Sequence, residues 1–276
     1  MKKLVLSNLL AFAFITVFAQ VKMPAPSPTQ IIKQDFGVGN IEVKYSRPSA
    51  KGRKVFGELV PYNKLWRTGA NSATVIRFSE PVEINGKKID TGSYALYSIP
   101  NVDYWDVILN KGITNSGING YTEADDVARF KIEAMRSNKK MEMFTMQFDN
   151  VKPESCDLNI IWEKTMITIP ILSKVQEKLK GQIDAALLTE KKSYWQAAQF
   201  YNEYEKNSAK ALEYVTSGLT ENPKAYWMWL YKAKIQQDLG DKAGARESST
   251  KSLELATAEK NDDYVRMNQA LLKKLK

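Results

Sequence analysis

Residues 167–187 read ITIPILSKVQEKLKGQIDAAL, and the period of the apolar residues changes within them. Ile167, Ile169 and Ile171 recur every second residue, the spacing of a half-buried strand. Val175, Leu179, Ile183 and Leu187 recur every fourth, the spacing of one helix face. Ser173 and Gln176 stand where a capping box would open that helix. The switch predicts a domain boundary at about residue 172, with β structure before it and helices after it.

Upstream, period-two alternation predicts strands through Ile41, Val43 and Tyr45, through Ile76 and Phe78, and through Trp105, Val107 and Leu109. Further strands follow through Phe130 and Ile132, and through Phe144, Met146 and Phe148. Asn85-Gly86 between Val82-Glu83-Ile84 and Lys87-Lys88-Ile89 predicts a tight hairpin, because both turn positions tolerate positive φ. Pro81 cannot donate to a ladder and predicts an edge position for its strand. No long helical pattern supplies parallel crossovers. The expected fold over residues 30–172 is an all-β sandwich, jelly-roll-like or similarly antiparallel.

Downstream, residues 173–276 read as an all-α domain, with a second capping box at Ser193 and Gln196. Trp195 and Trp229, Ala211 and Ala245, and Leu219 and Leu253 are each 34 residues apart. With Asn222-Pro223 closing one unit and Leu239-Gly240-Asp241 as the turn inside the next, residues 192–260 resemble tetratricopeptide repeats. Gln199 and Thr257 depart from that pattern, standing where a small residue and a proline would be usual. The resemblance implies a peptide or protein partner. Trp229 takes the repeat's core position, which leaves Trp227 as the candidate partner-binding residue.

Lys2 and Lys3, an apolar run from Leu4 to Phe18 and then Ala19-Gln20 predict a signal peptide over residues 1–19, cleaved after Ala19. The run falls short of the ~20 apolar residues that span a bilayer, so no transmembrane segment is expected after cleavage. Pro24, Pro26 and Pro28 predict an extended linker over residues 20–29. The expected location is periplasmic or secreted.

Composition narrows the chemistry. The chain has no histidine, which removes imidazole as general base and metal ligand; no metal or cofactor is expected. The single cysteine, Cys156, precedes Leu158, Ile160 and Trp162 in a strand pattern and reads as a buried thiol. The net charge of +9 divides into +3 over residues 20–172 and +4 over residues 173–276, with the remainder on Lys2 and Lys3. Charge spread in this way does not build a nucleic-acid surface.

Residues 45–71, YSRPSAKGRKVFGELVPYNKLWRTGAN, form a long connection rich in aromatics and glycine. Arg47-Pro48, Lys51-Gly52-Arg53, Phe56-Gly57, Leu59-Val60-Pro61-Tyr62, Trp66-Arg67-Thr68-Gly69-Ala70-Asn71 and the later Gly92-Ser93-Tyr94 are similar to a secreted family, found mainly in Bacteroidota, named domain of unknown function 2911. The resemblance covers most of residues 30–170 and implies no activity. Long loops of this kind are commonly functional, and arginine forks hold carboxylate or phosphate while tyrosine and tryptophan stack on sugars. One reading is therefore an anion or glycan pocket made from Arg47, Lys51, Arg53, Tyr62, Trp66, Arg67 and Asn71. The other is scaffolding: Trp66 plugs the sandwich, Arg67 pairs with Glu58 or another acid, and Asn71 caps the turn made by Gly69. Glu123, Asp125 and Asp126 offer acids for a hard cation but lack calcium-loop spacing.

Two function classes remain. The first is an envelope binding or scaffolding protein that engages a partner through its helical repeat and carries an anion or glycan site in the β domain. The second is an envelope hydrolase that works with carboxylates on a glycan or other anionic substrate.

Overall fold

A computed structural model describes residues 23–276; the signal peptide expected over residues 1–19 lies outside the described residues. The described residues form nine strands, β1 (Thr29–Phe36), β2 (Gly39–Ser46), β3 (Thr74–Phe78), β4 (Val82–Ile84), β5 (Lys87–Ile89), β6 (Gly92–Pro100), β7 (Tyr104–Asn110), β8 (Asp126–Asp149) and β9 (Ser155–Leu172). Six helices follow, α1 (Gln176–Ala186), α2 (Tyr194–Glu203), α3 (Ser208–Glu221), α4 (Tyr226–Asp238), α5 (Lys242–Ala258) and α6 (Asp262–Lys274). An antiparallel β part is thus followed by a helical part, as the change of period at residue 172 predicts.

The strand order is β1-β2-β3-β6-β7-β8-β9-β4-β5, and every pairing is antiparallel. Strand β8 belongs to both halves: Asp126–Glu133 pair with β7, and Ala134–Asp149 with β9. The halves face each other across one core, where Ile41, Ile76, Leu96 and Val107 from one meet Phe144, Leu158, Ile169 and Ile171 from the other. The segment after β2 then closes one side. Ala50 N–H donates to the carbonyl of Glu142 and Phe144 N–H to that of Pro48, so residues 48–50 run as a short strand against β8.

Two separate strands expected around Phe130 and Phe144 are one 24-residue strand. Its pairing with β9 slips between Arg136 and Met141 and again before Thr145. The partner strand absorbs the slip at Glu163, a non-glycine residue at φ 51°. Ahead of Glu163 the buried residues of β9 include Leu158, Ile160 and Trp162; beyond it they are Ile167, Ile169 and Ile171. One residue in the left-handed region thus moves the inward face from even to odd positions without ending the strand.

The Asn85-Gly86 hairpin forms as expected, with φ of 49° and 76°. Pro81, however, does not mark an edge. It precedes β4, which lies between β9 and β5, and β5 takes the edge. A proline just outside a strand withholds no ladder donor, so an inner position costs nothing.

In the helical part, Ile183 is buried in the helical core and Leu179 and Leu187 pack against the same cluster, as the spacing predicts, while Val175 is buried outside that cluster. The two expected capping boxes do not form. Val175 and Ser193 occupy the N-cap positions of α1 and α2, and neither gives a side-chain cap. Asn207, Asp241 and Asn261 cap α3, α5 and α6 instead, each accepting from the N–H three residues on. No helix among the described residues is long and apolar enough to cross a membrane.

Candidate functional site

The connection from Arg47 to Ala73 is pinned at several points along its length. After residues 48–50, the turn at Lys51 and Gly52 has φ of 51° and 73°, and Arg53 N–H returns to the carbonyl of Ala50. Phe56 and Val60 bridge across a small loop in which Gly57, at φ 91°, lies beneath Tyr62. A Cβ at Gly57 would stand 2.8 Å from the Tyr62 ring, so this position requires glycine on two counts. Trp66 then pairs with Ser98 of β6 through both backbone hydrogen bonds, of 2.8 and 2.9 Å.

Trp66 is 9% exposed and fills the end of the core. Its ring lies 5.2 Å from Phe144, 5.9 Å from Trp105, 6.0 Å from Phe56 and 6.1 Å from Trp162, centroid to centroid. The indole N–H donates to the Gly69 carbonyl at 3.0 Å. Among the described residues, the one buried side-chain polar atom without a partner is the indole nitrogen of Trp105, in the same aromatic cluster.

Each arginine of the segment donates to at least one backbone carbonyl. Arg47 donates to the carbonyl of Phe144 at 3.1 Å and to the hydroxyl of Thr145 at 2.9 Å. Arg53 donates to the carbonyls of Ala50 and Ser49, both at 2.9 Å. Arg67 donates to the carbonyl of Asn71 at 2.7 Å and lies over Gly117, where a Cβ would collide with its guanidinium. Glu58 pairs with Lys54 rather than with Arg67. Asn71, at φ 60°, uses its amide to tie the carbonyl of Ser27 to the hydroxyl of Ser46. Carbonyls compensate no charge, so each guanidinium keeps its full positive field while its geometry is fixed.

The seven candidate residues do not share one cavity. Asn71 lines a cavity of about 300 Å³ with Lys44, Ser46 and Thr114. Tyr62 lines another, of about 260 Å³, with Lys54, Lys140, Glu163 and Lys164. Sequence reasoning missed the two acids that fasten the connection. Glu142 accepts the Lys51 N–H at 2.6 Å and Glu163 accepts the Val55 N–H at 2.9 Å. Both stand on strands far away in sequence, and the only trace of Glu163 was the change of phase between Trp162 and Ile167.

Elsewhere the polar clusters are closed. Asp126 accepts from Asn110, Tyr121 and Arg129, and Arg129 also reaches Glu123. Burial, and next the bond to Asp126, push the Tyr121 phenol up to about 12. Burial likewise pushes the Cys156 thiol up to about 12, so the thiolate that would react is disfavoured. Among the described residues no three Asp, Glu, Cys or His side chains gather as a metal site.

In the helical part, Trp229 and α5 residues Arg246, Glu247, Thr250 and Glu254 line a cavity of about 550 Å³. The Trp229 indole donates to the carbonyl of Pro223, and Lys232 lies over its ring at 5.4 Å. Trp227 meets Tyr226 edge to face and packs against the helical core. A family model described as a protein of unknown function, DUF2911, matches residues 27–171. No curated protein and no solved structure matches the chain.

Proposed function

Since the chain belongs to DUF2911, whose name carries no activity, we propose from its own residues that it is an exported binding protein of the bacterial cell envelope. Its helices act as tetratricopeptide-like repeats that engage a protein or peptide, and the β domain carries an anion or glycan site. The groove lined by Trp229 is the observation that carries the partner reading: an indole edge with both charge signs along one wall suits an extended peptide. The repeat is supported by register. Helices α3 and α5 begin at Ser208 and Lys242, 34 residues apart, and Ala211 and Ala245, at the same place in each, are both wholly buried. Trp227 packs against the helical core and does not line this groove.

Two measurements test the proposal. Mass spectrometry of protein recovered from the envelope of an expressing bacterium is expected to find Gln20 at its start; an uncut chain confined to the cytoplasm overturns export. A photo-crosslinker at Thr250 is expected to trap one envelope protein, and Trp229→Ala to abolish the adduct. Adducts indifferent to that substitution overturn the groove.

A further inference from the structure

We infer that the cleft between the β8 bulge and the loop carrying Tyr62 binds an acidic oligosaccharide. This rests on the reading of the chain as an exported binding protein and gives its glycan site a place and a ligand class.

The cleft is made by the register slip. Between Arg136 and Met141, β8 advances five residues while β9 advances only from Thr165 to Glu163, so the extra residues bulge outward and carry Lys140 to the rim. Lys164 of β9 lines the same cleft, and Lys54 comes from the loop. Three lysines thus line the cleft with one acid, Glu163, whose carboxylate already accepts the Val55 N–H. Among the described residues Lys140 and Lys164 form no ion pair, whereas Lys54 reaches Glu58 at 3.5 Å. Tyr62 and Phe56 complete the lining, and the Tyr62 ring packs closely over Gly57.

These features select a ligand. Lysines are mobile point charges that meet single anionic groups, unlike the planar arginine fork. A fixed tyrosine face suits the apolar face of a pyranose ring. The cleft lies open along the surface, so it takes units of a chain and does not close around a small molecule. Uronic acid or sulfated sugar residues combine these properties.

Titration calorimetry of the purified protein at low salt tests this with tetragalacturonate, maltotetraose and inorganic phosphate as probes. Tetragalacturonate is expected to bind, to weaken as salt is raised, and to outcompete the other two. Lys140→Glu with Lys164→Glu is expected to weaken it at least tenfold with an unchanged melting temperature. Lys273→Glu with Lys274→Glu, an equal change of net charge on α6, is expected to weaken it less than threefold. Equal losses in the two double variants, phosphate binding as tight as tetragalacturonate, or no binding at all would each overturn the inference. Export and the Trp229-dependent adduct are read separately, so their failure is distinguishable from failure of the cleft.

Discussion

Replacing Trp66 with alanine separates scaffolding from ligand contact in the long connection. The indole touches four aromatic rings and donates one buried hydrogen bond, to Gly69. Truncating a buried aromatic to alanine costs about 4 kcal/mol through lost transfer energy and the cavity left behind. With a urea slope of about 2 kcal/mol per molar, the midpoint of the β-domain transition should fall by ~2 M. Trp66→Phe keeps most of the ring and loses the donor to Gly69, so it should cost only about 1–2 kcal/mol. Urea titrations followed by circular dichroism near the β minimum measure both. A shift below ~0.5 M for the alanine variant would mean that the connection is not anchored through this residue, and the plug reading would fail.

Other substitutions test the remaining contacts. Arg47→Ala removes the donors to Phe144 and Thr145 and should cost about 1–3 kcal/mol, with Arg47→Lys intermediate in the same titration. Cys156 should resist alkylation at pH 8 in the folded protein and react at once in denaturant; rapid native labelling would contradict its burial. The Tyr121 phenol ionises higher in the folded chain than its ordinary 10.0, so its contribution is complete below pH 10 and is lost as the pH rises toward about 12. The urea midpoint should therefore fall between pH 9 and pH 11, and fall less in Tyr121→Phe. Asp241→Ala removes the α5 cap and should lower helical stability by ~1 kcal/mol, read from the far-ultraviolet helix signal during melting.

The order of β then α, the Asn85-Gly86 turn and the face of α1 were legible because each depends on spacing within a few residues. The joining of Phe130 to Phe144, and of Trp162 to Ile167, was not. A bulge and a turn both interrupt alternation, and only the partner strand distinguishes them. The capping boxes failed for a related reason: Ser173 is buried, and its N–H is spent on the carbonyl of Glu154. At the candidate site the residue types of the connection were informative but their partners were not. Arg67 seeks a carbonyl four residues away, and the acids that anchor the loop, Glu142 and Glu163, come from β8 and β9. Sequence patterns report local periodicity, whereas these contacts span about a hundred residues.

The position of β9 between β8 and β4 has a kinetic consequence. The β4–β5 hairpin can close on itself early, but its neighbour in the sheet is the last strand, with Ile84 opposite Ile171. Until the chain beyond Ser155 has arrived, that hairpin has no template, and the core between the two halves stays open on one side. Pairings so distant in sequence impose a large loop-closure cost before they return any burial, which slows the committed step of folding. A chain halted short of β9 can therefore pair β1 through β8 but leaves the β4–β5 hairpin without its neighbour and the second half of the core unassembled.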